Sequence, residues 1–281
     1  MEFQRKLART FSFEFFPPNT EEGAVKLAAT AKQLAQLKPK FFSVTYGAGG
    51  STRERTLKAV QALRAAGHGA APHISCIGSS RQELLEILEQ YRQNGIRHLV
   101  ALRGDLPSGT AFAGDFQYAN ELVAFIRGEF GSQFQIEVAA YPEYHPQAKS
   151  ARDDLLNFKR KVEAGADSAI TQYFYNADCY YHFVEECEAM GIGIPVVPGI
   201  MPIGRFSQLA RFSDACGAEI PRWMRKKLEG YADDTASIQA FGLDVVTRLC
   251  DDLLAQGAPG LHFYTMNSAA LTSTIWQRLG L

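Results

Sequence analysis

Two hydrophobic periods take turns along this chain. A short run of apolar, β-branched or aromatic residues gives way to a longer stretch with apolar residues at i, i+3 and i+4, and the pair then recurs. The first short run is Phe11-Ser12-Phe13-Glu14-Phe15-Phe16, stopped by Pro17-Pro18. A helix is predicted over 21–37, with Leu27, Ala31 and Leu34 on one side. Further strands are predicted over 40–47, 70–76, 98–104, 134–141, 168–175, 195–201 and 261–266. Helices are predicted over 52–66, 81–94, 118–128, 150–164, 177–190 and 269–279, and more than one between the last two strands. The longest interruption, 215–237, reads as extra helices before the last strand.

About eight βα units in succession call for a parallel sheet with helices outside it, and eight is the number that closes a (β/α)8 barrel. An open doubly wound sheet is the rival arrangement. No Pro/Ser-rich linker divides the chain, so 1–281 is expected to form a single α/β domain, a TIM barrel.

Glu14 is the odd residue in the first strand. Set between phenylalanines, it is expected to sit among aromatic rings near the strand's C-terminal end. Burial penalises an unpaired charge, so its neutral, protonated form is expected. A carboxylic acid held protonated near neutral pH can serve as a general acid. An edge strand with Glu14 facing water is the alternative.

Composition narrows the partners. A 46% hydrophobic share, 21% charged share and net charge of −1 give ordinary soluble proportions and no bulk attraction to nucleic acid or an anionic membrane. The five cysteines include no CxxC pair, which fits reduced thiols in a cytoplasm. No apolar run suits a signal peptide or a bilayer span.

Barrel chemistry belongs at the C-terminal ends of strands. There the predicted strands supply Glu14, Thr45, His73 with Ser75, Arg103-Gly104-Asp105, Tyr141 to His145, Thr171-Gln172 and Thr265-Met266-Asn267. The strand starts read as apolar or surface-like. Alternation puts Ser12 with Glu14, Ser43 with Thr45, and His73 with Ser75 on shared faces. Gly47-Ala48-Gly49-Gly50-Ser51-Thr52 resembles a dinucleotide loop but lacks its third glycine, and reads as a loop beside a ligand. A metal site from Glu14, His73, Asp105 and His145 lacks a ligand signature, so no metal is expected. In the helix after the fifth strand, Asp154, Asn157 and Lys161 share a face with Arg160 beside it, which suits a diphosphate and ribose or a plain solvated face.

These runs together resemble the bacterial type of 5,10-methylenetetrahydrofolate reductase. The likeness rests on Phe13-Glu14-Phe15-Phe16-Pro17-Pro18, Ser43 to Ala48, Ala71-Pro72-His73, Leu102 to Pro107, Ala140 to Pro146, Asp154 to Lys161, Thr171 to Phe174 and His262 to Asn267. The resemblance implies a barrel flavoprotein that holds FAD without a covalent bond. NADH or NADPH would reduce the flavin, and methylenetetrahydrofolate would reoxidise it by ping-pong turnover. The product would be 5-methyltetrahydrofolate, a methyl source for methionine synthesis. It also implies a cytoplasmic homo-oligomer.

Residue roles follow from the same likeness. Glu14 would protonate folate N10, and Asp105 would hold the folate and adjust the flavin. Thr45, Tyr46, Ala48, His73, Arg103, Gly104, Asp105, Tyr118, Ala119, Tyr141, His145, Ala148, Asp154, Asn157, Arg160 and Lys161 would contact FAD or its surroundings. Gln172, Gln208 and Phe212 would contact folate and the nicotinamide cofactor. Ser268 stands where the family often has an arginine for folate. A regulatory domain answering to S-adenosylmethionine is not expected. Other flavin barrel dehydrogenases, a metal-dependent barrel hydrolase and a non-catalytic flavin or folate binder are the competing readings.

Overall fold

A computed structural model describes residues 1–46, 52–104 and 114–281. Ala48 and Asp105 therefore lie outside the described residues. The strands are β1 (Thr10–Phe15), β2 (Phe41–Val44), β3 (Ala70–Ser75), β4 (His98–Leu102), β5 (Gln135–Ala140), β6 (Ser168–Thr171), β7 (Val196–Val197), β8 (Gly199–Ile200) and β9 (Gly260–Tyr264). The first six are followed in turn by α1 (Glu21–Ala35), α2 (Arg53–Ala65), α3 (Arg81–Gln93), α4 (Ala119–Phe130), α5 (Ala151–Glu163) and α6 (Ala177–Ala189). Three helices, α7 (Phe206–Cys216), α8 (Arg222–Gly230) and α9 (Thr235–Ala255), separate β8 from β9, and α10 (Ala270–Arg278) follows β9. Helix starts carry the caps their sequences advertise: Thr20, Thr52, Ser80, Ser150 and Asp234 each accept a backbone N–H of the first turn.

All strand pairs are parallel, in the order β7-β6-β5-β4-β3-β2-β1-β9-β8. The expected seventh strand is broken at Pro198. Its first piece pairs with β6 and its second with β9, so the ring turns from one neighbour to the other through a proline. Proline has no N–H to give a ladder, which accounts for the break. Gly199 fits there because a Cβ would lie 2.1 Å from the Thr171 carbonyl. The architecture is a nearly closed TIM-like barrel, as the alternation predicts.

Alternation then sorts β1. Phe11 meets Trp276 of α10 edge-on at 4.8 Å, and Phe15 stacks on Phe42 at 5.2 Å, both in the layer between sheet and helices. Ser12 and Glu14 take the other face, inside the barrel. Glu14 therefore does not sit among its neighbouring phenylalanine rings. The barrel interior has its own small apolar plug of Phe41, Ala71, Val100 and Ile170.

The strand starts are also more polar than expected. Buried Glu137 of β5 approaches His98 at 2.8 Å and accepts from the Ser168 hydroxyl at 2.5 Å. Burial is the largest influence on this carboxyl and raises it, but His98 and Ser168 outweigh it and keep its pKa low. The strand pattern hid this cluster, because its three residues come from three strands and meet only when the sheet closes.

Candidate active site

Glu14 is the centre of the mouth. Its carboxylate Oε2 accepts from the Ser43 hydroxyl at 3.2 Å and lies 3.4 Å from His262 Nε2. His73 Nε2 is 3.1 Å from the same oxygen, but without hydrogen-bond alignment, so its pull is electrostatic. The strand ladder makes this meeting: Glu14 pairs with Ser43 on one side and Tyr264 on the other. Thr265 Oγ1 donates to the Glu14 backbone carbonyl at 2.6 Å and fixes the main chain.

This environment corrects the expected charge state. Burial is the largest influence and pushes the Glu14 carboxyl up. The attraction of His73, hydrogen bonding from His262 and the attraction of His262 act against it and prevail, so Glu14 is held well below the usual carboxylate range. In the absence of substrate the group is a carboxylate. The sequence reasoning gave the burial correctly and omitted the partners.

Three adjoining cavities open at the strand ends, and Glu14 lines two of them. One joins Glu14 to Gln172, Phe212, Cys216 and Tyr264. A second runs from Glu14 past Thr45, Tyr46, His73 and Gly104 to Gln172. The third carries Arg103, Gly104, Tyr118, Ala119, His145, Ala148, Asp154, Asn157 and Lys161. Tyr141 lines all three. Most residues singled out from the sequence thus converge on one mouth. Arg160 is exposed and donates to Asn157 at 2.5 Å, off the cavity lining. Gln208 is half-buried one turn before Phe212 on α7, also off the lining.

Sequence reasoning gave no role to His262, Tyr264, Tyr173, Arg53 or Cys216, which all meet this mouth or its carboxylate. The signal for His262 and Tyr264 was available. They alternate on β9 as Ser12 and Glu14 do on β1, and the register sets Ser12 beside His262. Cys216 had no such signal. Its Sγ accepts from the Gln172 amide at 3.3 Å, across a separation only the fold closes.

Several groups here keep hydrogen-bonding capacity or charge that the described residues do not fully use. Thr45 Oγ1 and His73 Nε2 are buried without a hydrogen-bond partner. The buried Lys161 ammonium donates to the Ala139 carbonyl at 2.5 Å, and no described carboxylate is in ion-pair contact with it. Burial is the main influence on it and lowers its pKa to about 8, with Asp154 pulling it back up. A desolvated cation with no described carboxylate in contact suits an anionic group such as a diphosphate. Gly104 has φ +83°, and a Cβ there would fall 2.8 Å from the Ser75 side chain, so the backbone stays bare where a flat ligand could approach. These features fit a flavin dinucleotide. Among the described residues, no group of three His, Cys, Asp or Glu side chains is placed to hold a metal ion.

A parallel barrel whose strand ends set a buried carboxylate beside a cleft lined by Arg103, Asp154 and Lys161 has the form of a barrel enzyme acting on small molecules. The Methylenetetrahydrofolate reductase family profile matches residues 2–280. The chain belongs to this family and is an oxidoreductase that reduces methylenetetrahydrofolate. It is 43% identical over 271 residues to 5,10-methylenetetrahydrofolate reductase of Escherichia coli (strain K12), covering 96% of this chain and 90% of the relative. The corresponding protein of Buchnera aphidicola subsp. Schizaphis graminum is 40% identical over 274 residues, covering 96% and 91%. Methylenetetrahydrofolate reductase (NADH) 1 of Arabidopsis thaliana is 38% identical over 285 residues, covering 96% of this chain and 48% of the relative. Among solved structures, an uncharacterized protein from Clostridium thermocellum that binds two copies of 5-methyl-5,6,7,8-tetrahydrofolic acid superposes with a TM-score of 0.68. At 15% identity, over 98% of this chain and 96% of that one, the likeness is one of fold.

Proposed function

We propose that the chain carries out its reduction with FAD as the hydride relay and NADH or NADPH as the donor, the two substrates taking turns at one mouth. When bound, the flavin supplies a two-electron store that nicotinamide fills and the folate empties. The observation that carries this reading is the wall that the adjoining cavities share. Tyr141 lines the cavity of Glu14 and Gln172 and also the cavity of Lys161, so a proton-handling carboxylate and a buried cation serve one ligand space.

In this reading Lys161 and Asn157 hold the diphosphate and ribose region of FAD, with Arg103, Tyr118, Ala119, His145, Ala148 and Asp154 around it. Thr45, Tyr46, His73 and Gly104 border its ring system, as would Ala48. Arg160 stands at the margin and acts through Asn157. Gln172 offers its amide to whichever substrate occupies the mouth. Phe212 forms the apolar wall opposite, and Gln208 meets the outer part of the ligand. Glu14 delivers a proton to folate N10, which opens the five-membered ring to an electrophilic iminium. Closure of the mouth by substrate removes water, which favours the neutral acid that this delivery needs. Asp105 would steady the cationic folate.

The product is then 5-methyltetrahydrofolate, available for methionine synthesis. Five free cysteines are consistent with a reducing cytoplasm, and no described helix is long and apolar enough to cross a membrane. Self-association into a homo-oligomer is carried over from the family.

The test is a stopped-flow record of flavin absorbance. Either nicotinamide cofactor should bleach the yellow protein, and methylenetetrahydrofolate should restore the colour. Bleaching that folate fails to reverse would make this a different flavin barrel enzyme. A colourless protein that takes up no FAD would end the reading.

A further inference from the structure

Reduction of methylenetetrahydrofolate consumes a proton as well as a hydride. The methylene carbon takes the hydride, its bond to N10 breaks, and N10 keeps a hydrogen. Each turnover must therefore draw one proton from solvent. Glu14, read above as the donor, is only 11% exposed and rests as a carboxylate, so its proton needs a source close by.

A polar column lies directly behind it. Ser12 Oγ is 2.7 Å from His262 Nδ1, and His262 Nε2 is 3.4 Å from Glu14 Oε2. Parallel pairing sets Ser12 beside His262, while Glu14 shares the inward face of β1 with Ser12. His262 is fully buried, and Phe41 stacks near its ring at 6.3 Å. The described contacts of the Glu14 carboxylate all fall on Oε2, the oxygen that faces this column.

We propose that the Ser12–His262 pair stores the proton and passes it to Glu14 Oε2, and that Glu14 then turns this protonated oxygen to the substrate and releases the same proton there. The inference rests on Glu14 being the donor, and it names His262 and Ser12 as positioning residues. The balance is simple. The His262 imidazolium loses its Nε2 proton, and the carboxylate becomes the acid. The acid protonates N10 and returns to carboxylate, and after product leaves, a proton from water in the mouth recharges the buried ring by way of Glu14. A serine suits the far end because its hydroxyl can accept from an Nδ1–H or donate to a bare Nδ1. It thus supports the ring before and after transfer.

The other groups around the ring are accounted for. Ser43 of β2 and His73 of β3 meet the same Glu14 oxygen, and Tyr264 of β9 donates to the Thr171 carbonyl at 2.7 Å. Glu137 of β5 feels the His262 charge but is occupied by His98 and Ser168. His73 is nearer to Oε2 than His262 is, yet only His262 has a second polar partner among the described residues.

The test separates the half-reactions. Enzyme reduced beforehand is mixed with methylenetetrahydrofolate across a pH range, and flavin reoxidation is followed for His262→Gln, Ser12→Ala and Glu14→Gln. His262→Gln should slow reoxidation roughly a hundredfold at neutral pH and remove an ionisation from its pH profile, while nicotinamide reduces the flavin as before. Ser12→Ala keeps the ring but removes one of its hydrogen bonds, so reoxidation should slow severalfold and its pH profile should differ from wild type. As a second readout, nitrogen NMR of the oxidised protein across a pH range should give His262 Nδ1 and Nε2 signals that respond to Ser12→Ala and to Glu14→Gln.

Wild-type rates and pH profiles in both His262→Gln and Ser12→Ala, with reoxidation lost in Glu14→Gln, would overturn the relay and leave the donor assignment standing. Equal slowing of both half-reactions in His262→Gln would also overturn it. Wild-type reoxidation in Glu14→Gln would instead bring down the reading beneath it. If His262→Gln fails to fold, the Ser12→Ala profile and the NMR titration decide.

Discussion

Asn267 clasps Phe16 at the rim of the barrel. Its side-chain oxygen accepts the Phe16 N–H at 2.8 Å, and its amide donates to the Phe16 carbonyl at 2.9 Å. The clasp joins the end of β9 to the end of β1, two residues beyond Glu14. Asn267 holds φ 56° and follows Met266 at φ 54°, a left-handed pair that asparagine tolerates better than most residues. Asn267→Ala should lower stability by about 1–3 kcal/mol, seen as a lower Tm. It should also slow flavin reoxidation by folate more than flavin reduction, because the end of β1 just past Glu14 loses its clasp. Equal effects on both steps would count against that link.

Glu14→Gln should abolish folate-driven reoxidation and leave nicotinamide-driven bleaching intact. The variant also tests the charge state. A carboxyl with a depressed folded pKa contributes stability above its unfolded value of about 4.3 and loses it as pH falls further. The wild type should therefore be more stable than Glu14→Gln at neutral pH, and the gap should close in acid. Chemical denaturation at several pH values checks this, and a gap that widened in acid would contradict the carboxylate assignment.

Lys161 should act in opposite directions with and without FAD. Its folded pKa of about 8 lies below the ordinary lysine value, so burial of the charge destabilises the flavin-free chain below that pH. The unfolded chain binds more protons between about 8 and 10.4, so stability from this group rises with pH across that window. Lys161→Met should flatten that rise and leave the flavin-free chain at least as stable. The same substitution should weaken FAD binding about tenfold or more, and wild-type affinity should fall above pH 8. A flavin fluorescence titration measures both, and unchanged affinity would remove Lys161 from the diphosphate site.

Gly104→Ala combines a left-handed backbone with a side chain pressed against Ser75. It should cost about 1–3 kcal/mol and reduce FAD retention on purification. Wild-type stability and flavin content would show that the backbone there relaxes freely.

On the proposed reading that Asp105 sets its charge beside the flavin, Asp105→Asn should ease flavin reduction and weaken folate binding, because such a charge disfavours the reduced anion. A midpoint potential equal to wild type would refute the role.

Much of the architecture was legible in the linear pattern. Strand and helix periods placed the βα units, residues such as Tyr141 and Gln172 fell at the mouth as strand-end logic required, and Phe212, named from the family likeness alone, lines it too. The pattern failed where position depends on another element. Gln208 and Phe212 share a helix face, yet the cavity meets only the later turn of α7. Arg160 is adjacent to the Lys161 face but points to solvent. The Glu137 cluster was invisible because each member is unremarkable in its own strand.

The chain itself determined the barrel and the burial of Glu14, since both follow from periodicity and from the alternation of side chains along a strand. Whether that carboxyl is charged was decided only by the closed sheet. Its proton affinity depends on Ser43, His73 and His262, which lie far away in sequence and act through space over a few ångströms. Periodicity fixes which face a residue takes, and only the register between strands fixes what it meets there.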